Sequence, residues 1–179
     1  MGALLVFSRA VDRLTVGFAV VADYLVLIAV LVSAGNALVR YTLNMSSNGL
    51  LEIQWYMFAA IVLLGASYTL RKNEHVRVDV IYSLISERKR IFVDIFGFVV
   101  LYLPVIGYLF VLCFPFFWRS FVSGETSMNA GGLTLWPAKL MLPLGFGLLF
   151  LQGLSELIKR FAALQGLIVL ETKYEKPLQ

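Results

Sequence analysis

Hydrophobic residues are grouped along this chain into four long runs, and most charged residues lie in clusters between them. The runs cover residues 14–39, 53–70, 95–118 and 133–154. Their only charged members are Asp23 in the first run and Lys139 near the start of the fourth. A helix that spans a bilayer needs about 20 apolar residues, because lipid offers the backbone no hydrogen-bond partners. The pattern therefore predicts an all-α integral membrane protein with four transmembrane helices.

The boundaries of these helices follow from the flanking polar residues. Helices are expected near residues 14–40, 51–71, 87–118 and 134–159, in a single transmembrane domain of residues 1–160. Ser86 directly precedes a charged stretch and is predicted to cap the third helix. The apolar stretch 161–170 is too short to span again. Residues 161–179 are therefore expected to form a cytoplasmic C-terminal extension.

The first residues, 2–13, place apolar side chains on one helical face and Arg9, Asp12 and Arg13 on the other. Such a pattern is typical of an amphipathic helix that lies flat in the membrane interface. The fold prediction includes this N-terminal interfacial helix. The alternative interpretation is that the segment extends the first transmembrane helix.

The distribution of charged residues predicts which ends of the helices face the cytoplasm. Only 15% of the residues are charged, whereas soluble domains have about 25%. Twelve of the 15 lysines and arginines precede the first helix, lie between helices two and three, or follow helix four. Positive residues favour the cytoplasmic side, so both termini are predicted to be cytoplasmic. The net charge of +4 thus reflects topology, and no nucleic-acid partner is expected.

Candidate catalytic residues are few. The chain has a single histidine, His75, and a single cysteine, Cys113. Haem bound between helices needs two histidines, and no Ser-His-Asp pattern or glycine-rich phosphate loop is visible in the sequence. The expectation is a protein that is not an enzyme and holds no cofactor or metal.

Polar residues within or beside the apolar runs are candidates for helix contacts. Asp23 has two interpretations, a proton or ion relay, or a carboxylate that pairs with a neighbouring helix or partner subunit. The second is favoured, because no other acid or base lies as deep. Arg40 and Glu52 flank the first loop and are expected to form an ion pair. Asn36 is expected to form an interhelical hydrogen bond of about 1 kcal/mol.

The densest polar cluster is the stretch 71–80, which contains His75, Arg77 and Asp79. Read from composition, it is a solvated loop whose positive charge fixes topology. His75 and Asp79 are too isolated to act as a catalytic pair.

Four motifs in order resemble the small membrane subunit (DctQ-type) of tripartite ATP-independent periplasmic (TRAP) transporters. They are Glu52-x-Gln54-Trp55; Gly65-Ala66-Ser67-Tyr68-Thr69-Leu70-Arg71 followed by residues 73–79; Ser127-x-Asn129-Ala130-Gly131-Gly132-Leu133 with Trp136-Pro137-x-Lys139; and Pro143-x-Gly145-Phe146 with Gln152, Gly153 and Glu156. Each motif alone is weakly specific. Together, in order and within a four-helix protein, they are specific, and the resemblance covers the chain from about residue 12 to residue 159.

The resemblance implies a non-catalytic subunit in a bacterial or archaeal inner membrane. In this family a periplasmic binding protein delivers an organic acid, and a large elevator-type subunit imports it with a sodium gradient. The small subunit supports the large one in a stable heterodimer and helps to dock the binding protein transiently. Membrane lipids are further partners, and no cofactor is implied for this chain. The alternative is a small subunit of another membrane complex, such as a tricarboxylate-type tripartite transporter.

The resemblance also implies roles for individual residues, and it assigns no sodium or solute site to this chain. The residues assigned to the large-subunit interface or to structural motifs are Asp23, Asn36, Arg40, Glu52, Gln54, Trp55, His75, Arg77 and Asp79. The residues assigned to docking of the binding protein are Glu125, Ser127, Asn129, Gly131, Gly132, Trp136 and Lys139.

Overall fold

The structure, a computed structural model, describes residues 2–45, 47–73 and 86–168. The helices in these ranges are α1 (Gly2–Leu43), α2 (Asn48–Lys72), α3 (Glu87–Gly97), a π-helical turn (Phe98–Tyr102), α4 (Leu103–Ser123) and α5 (Trp136–Leu164). The segment from α3 through the π turn to α4 forms one continuous span. The described residues thus contain four helices that are long and apolar enough to cross a membrane, which confirms the predicted fold class.

Local backbone conformation ends or begins several of these helices. Asn73 adopts a left-handed conformation (φ 61°), and its N–H donates to the carbonyl oxygens at the end of α2. Gly124 ends α4 in the same way (φ 61°), a conformation that glycine and asparagine tolerate best. Ser86 occupies the N-cap position of α3 as predicted, but its side chain makes no capping hydrogen bond.

The prediction of a separate interfacial helix at the N-terminus was wrong. Residues 2–13 are the first turns of α1, which is a single helix of 42 residues. The reason lies in polar side chains that face α5: Ser8 is 2% exposed and Thr15 is fully buried. Since these groups bond to α5, the segment follows the bundle axis. At the other end of the chain, α5 continues to Leu164 and so includes the first residues of the predicted extension.

Helix α5 is the centre of the bundle. It packs against α1, α2 and α4, and α1 also packs against α2. In its most apolar stretch 44% of the residues are buried, compared with 6% in the α3–α4 span, which packs chiefly on α5. The core between α1, α2 and α5 is built from Ala22, Ala60, Leu64 and Leu148. Small residues on α1 and α2 allow the helices to approach closely, as is usual in membrane bundles.

The closest approach of α2 to α5 occurs at Gly145. A Cβ atom at this position would lie 2.6 Å from Leu63 Cβ and 3.0 Å from the Leu63 carbonyl oxygen. Such separations are too short, so any side chain here would push the two helices apart.

We expect Gly145→Ala to lower the thermal unfolding midpoint of the purified chain by several degrees. Gly65→Ala on α2 is the matched control, because a Cβ at Gly65 meets no atom within 4 Å. There the added methyl group should stabilise the helix by about 0.5–1 kcal/mol. Equal shifts for the two variants would contradict the assignment of Gly145 to a tight contact.

Candidate functional site

The loop between α4 and α5, residues 124–135, is held against the start of α2 by one carboxylate. Glu52 Oε1 accepts a hydrogen bond from Asn129 Nδ2 (2.7 Å) and another from the Ser127 hydroxyl. Glu52 Oε2 accepts one from the Leu133 backbone N–H (2.7 Å). The Glu52 side chain is deeply buried, with only 4% of the residue exposed. Three donors that are distant in sequence from α2 therefore converge on one buried acid.

The loop has a short antiparallel structure of its own. The Ser127 N–H donates to the Leu133 carbonyl (2.9 Å), and the Leu135 N–H donates to the Glu125 carbonyl (2.9 Å). Gly131 lies in the turn at the tip with φ 70°, a conformation that favours glycine. The loop is consequently ordered both internally and by its contact with α2.

Two further hydrogen bonds connect the loop to α2. Asn48 Nδ2 donates to the Ala130 carbonyl (3.2 Å), and the Tyr56 hydroxyl donates to the Thr134 carbonyl (3.1 Å). Because Asn48, Glu52 and Tyr56 are spaced four residues apart, they lie on one face of the helix. That face of α2 is therefore the support on which the loop rests.

Two large apolar side chains project from this region into the surroundings. Met128 at the tip of the loop is fully exposed, and Trp55 on α2 is 64% exposed. Ser127 and Asn129, on either side of Met128, bond instead to Glu52. The two polar residues were predicted from the sequence to take part in docking, whereas Met128 between them was not. The single apolar residue between two polar residues is the signal that separates the outward position from the inward ones here.

Glu125 and Lys139, both predicted docking residues, form an ion pair with each other. Lys139 Nζ also lies 4.3 Å from the centroid of the Phe116 ring. The Lys139 ammonium group, through its hydrogen bond and its charge, lowers the pKa of the Glu125 carboxyl below the ordinary value. The pair borders an open cavity of about 440 Å³, lined by Leu112, Pro115, Phe116, Arg119, Ser123, Glu125 and Lys139. Trp136 packs edge-on against Phe121 (centroids 5.4 Å apart) and so joins α4 to α5.

At the opposite end of the bundle, where α1 begins and α5 ends, lies a buried polar cluster that we call the terminal cluster. Ser8 and Ser155 share a hydrogen bond of 2.7 Å. Thr15 Oγ1 donates to Gln152 Oε1 (2.8 Å), and Gln152 Nε2 donates to Asp12 (3.0 Å). Gln152 is fully buried. Since each polar atom named here has a partner, the cluster joins α1 to α5 without unsatisfied groups.

Ion pairs surround these hydrogen bonds. Lys159 Nζ lies 2.8 Å from Asp12 Oδ2 and 2.8 Å from Glu156 Oε1. Arg71, at the end of α2, approaches Asp12 at 3.8 Å. Asp12 thus connects α1 to both α5 and α2.

Arg160 extends the terminal cluster to α3. Its guanidinium group pairs with Glu156 (2.9 Å) and with Asp94 (3.0 Å), and the side chain is only 7% exposed. It also lies 4.6 Å from the centroid of the Phe98 ring in the π turn. The Tyr102 hydroxyl, at the other end of that turn, donates to the Leu149 carbonyl (3.0 Å). The π turn therefore directs two aromatic side chains onto α5.

The terminal cluster was not predicted from the sequence, in which Gln152 and Glu156 belong only to a motif. A signal was present, because polar residues recur with helical spacing on both partners. The two sets are Ser8, Asp12 and Thr15 on α1, and Gln152, Ser155, Glu156 and Lys159 on α5. Among the described residues, no group of three histidine, cysteine, aspartate or glutamate side chains has the arrangement of a metal site.

The remaining predicted residues do not form one site. The ion pair expected between Arg40 and Glu52 is absent, because Glu52 bonds to the loop and Arg40 is exposed. Asn36 is buried, but within the described part of the chain its Oδ1 has no hydrogen-bond partner, contrary to prediction. Gln54 is buried and donates to the Leu50 carbonyl one turn earlier (3.0 Å). Asp23 is exposed on α1.

Three predicted residues, His75, Arg77 and Asp79, lie outside the described residues. Their assignment to the structural motif stays a prediction.

Comparison with protein families gives one match. The family model described as "Tripartite ATP-independent periplasmic transporters, DctQ component" matches residues 29–163. No curated protein and no solved structure matches the chain. The matched range includes α2, the α4–α5 loop and most of α5, and thus both Glu52 and the residues that bond to it.

Proposed function

This chain belongs to the DctQ component family of the tripartite ATP-independent periplasmic transporters, and we propose that it is the small, non-catalytic subunit of a sodium-driven member. In this proposal a large membrane subunit binds sodium and an organic acid, and a periplasmic binding protein delivers the acid. The small subunit widens the stationary part of the large subunit in the membrane. It also offers a docking surface to the binding protein.

The proposed orientation places the terminal cluster on the cytoplasmic side of a bacterial or archaeal inner membrane. Arg9 and Arg13 lie in the first turns of α1, and Lys159 and Arg160 lie in the last turns of α5. Positive residues at helix ends favour the cytoplasmic side. The α4–α5 loop then faces the periplasm.

The observation that supports a docking role is the loop held by Glu52. A surface that is ordered before its partner arrives loses less conformational entropy on binding. The loop presents Met128, whose side chain is fully exposed, and methionine adapts well to different partner surfaces. The tip of the loop is therefore the part of this chain best suited to contact a binding protein.

The proposal is tested by purifying the tagged chain from its native membrane in mild detergent and identifying its partners by mass spectrometry. We expect a large, many-helix membrane protein in stoichiometric amount. The recovered complex, placed in liposomes with the binding protein, should then import an organic acid only when a sodium gradient is imposed. Recovery of the chain alone, or with subunits of a tricarboxylate-type transporter or a respiratory complex, would contradict the proposal.

Reversing the charge of Lys139 to glutamate is expected to reduce uptake about fivefold without loss of the membrane complex. The variant would place two acids together beside the loop, and the repulsion between these like charges would disturb the surface that the loop offers to the binding protein. Uptake is measured against binding-protein concentration in liposomes. The matched control is the double variant Glu125→Lys with Lys139→Glu, which restores an ion pair and should recover most of the uptake. Unchanged uptake in the single variant would remove these residues from the docking surface.

A further inference from the structure

One carboxylate in the spanning helices has no partner within the described chain. Asp23 lies near the middle of α1 with its side chain exposed. Among the described residues it takes part in no hydrogen bond and no ion pair. By contrast, Asp12, Asp94 and Glu156 in the terminal cluster and Glu52 at the loop all have hydrogen-bond or ion-pair partners.

The depth of Asp23 follows from its position along α1. Asp12 belongs to the terminal cluster, and Arg40 lies 28 residues further along the same helix. At 1.5 Å per residue they are about 42 Å apart, which matches a bilayer with its headgroups, at about 40–45 Å. Asp23 is about 16 Å from Asp12 on this scale. It therefore lies within the hydrocarbon layer, beyond the reach of water at either surface.

An aspartate side chain at that depth is costly when it faces lipid, and it is too short to extend to the headgroups as lysine or arginine does. Among the described residues, no cation lies near enough to relieve the cost. Lys159 and Arg71 are at Asp12, and Arg40 is about 25 Å away along the helix. Since the described part of the chain offers no such cation, another molecule is the source to consider for the compensating group.

Two candidates for that molecule differ in charge. A second copy of this chain, related by an axis along the membrane normal, presents its own Asp23 at the same depth, and like charges repel. A transmembrane helix of another subunit can present a lysine or arginine there. We propose that the α1 face around Asp23 contacts a helix of the large subunit and that a basic side chain of that helix pairs with Asp23. This inference rests on the proposed function.

The face can be defined by helical geometry. At 100° per residue, Leu27 and Val30 lie on the same side of α1 as Asp23, and both are more than half exposed. Val21 and Ile28, which are about equally exposed, lie on the opposite side. The two pairs therefore provide matched positions for a crosslinking test.

In the first experiment, a photoreactive amino acid replaces each of these four residues in turn, and the native complex is irradiated in its membrane. Leu27 and Val30 are expected to give an adduct with the large subunit, whereas Val21 and Ile28 are expected to give none. Adducts from the control positions only, or adducts between two copies of this chain at Leu27 and Val30, would overturn the assignment.

In the second experiment, Asp23→Leu and Asp23→Asn are compared with the wild-type chain and with Val21→Leu. We expect Asp23→Leu to lower recovery of the large subunit about tenfold, as loss of a polar contact between membrane helices can do. Recovery with Asp23→Asn, which keeps a hydrogen-bond acceptor, should lie between those of Asp23→Leu and the wild type, and recovery with Val21→Leu should match the wild type. Since Asp23 has no partner in the described chain, the unfolding midpoint of the isolated chain should not fall in any variant.

If Asp23→Leu recovered as much of the large subunit as the wild-type chain does, the assignment would be overturned and the proposed function would stay intact. Absence of a large subunit from the wild-type preparation would overturn the proposed function itself, and this inference with it. The two failures are thus distinguished by the wild-type sample.

Discussion

Replacement of Glu52 by glutamine is expected to release the α4–α5 loop and to remove most of the uptake that depends on the binding protein. The carboxylate accepts three hydrogen bonds, from Ser127, Asn129 and the Leu133 N–H. In glutamine an NH2 group replaces one carboxylate oxygen, so it would face one or two of these donors and could not accept their hydrogen bonds. Hydrogen bonds to a charged group contribute about 1.5–3 kcal/mol each, so amide hydrogen exchange in residues 124–135 should rise tenfold or more.

The measurement is hydrogen–deuterium exchange by mass spectrometry on the purified complex, followed by uptake in liposomes. The control is Glu125→Gln, which removes an acid that lies in the same loop but is exposed and does not bond to α2. In the control, exchange in the loop should change much less. If Glu52→Gln left both exchange and uptake at the wild-type level, the loop would not depend on this carboxylate.

Replacement of Arg160 by leucine is expected to cause the largest loss of stability among the single variants considered. The change leaves the partly buried Asp94 without the Arg160 cation and the buried Glu156 with only Lys159, and breaking a buried ion pair from one side costs about 3–5 kcal/mol. For a chain of this size that corresponds to a fall of about 10 °C in the thermal unfolding midpoint. The midpoint is read from tryptophan fluorescence of the chain in detergent.

Lys89→Leu is the control for the loss of one positive charge near the start of α3, because Lys89 is exposed. It should leave the midpoint within a degree or two. Adding Asp94→Asn to Arg160→Leu should recover part of the loss, since it removes the carboxylate charge that has lost its Arg160 partner. A midpoint for Arg160→Leu equal to that of the control would show that the terminal cluster does not hold α3 to α5.

The spans were predictable from the sequence because a helix in lipid needs apolar side chains and must satisfy every backbone polar group internally. A run such as 95–118, without a single charge, has few other stable arrangements. The N-terminal segment was predicted wrongly because its amphipathic pattern is compatible with either a headgroup surface or a second helix. Only the burial of Ser8 and Thr15 against α5 distinguishes the two.

The terminal cluster and the contacts of Glu52 with the α4–α5 loop were harder to predict, because their residues are far apart in the chain. Asp12 and Lys159 are separated by 147 positions, and Glu52 lies 77 positions from Asn129. The pairing of Arg40 with Glu52 was inferred because the two residues are close in sequence. Glu52 instead accepts hydrogen bonds from the α4–α5 loop, which is distant in sequence. The resemblance to a family had already placed Glu52, Ser127 and Asn129 in its motifs, but it gave them separate roles.

The attachment of the α4–α5 loop also has a mechanical consequence. The loop is covalently joined to α4 and α5, yet its hydrogen bonds lead through Asn48, Glu52 and Tyr56 to α2. A force applied at Met128 is consequently transmitted to α2 as well as to α4 and α5. A partner that docked at the tip, as proposed, would thus act on all three helices.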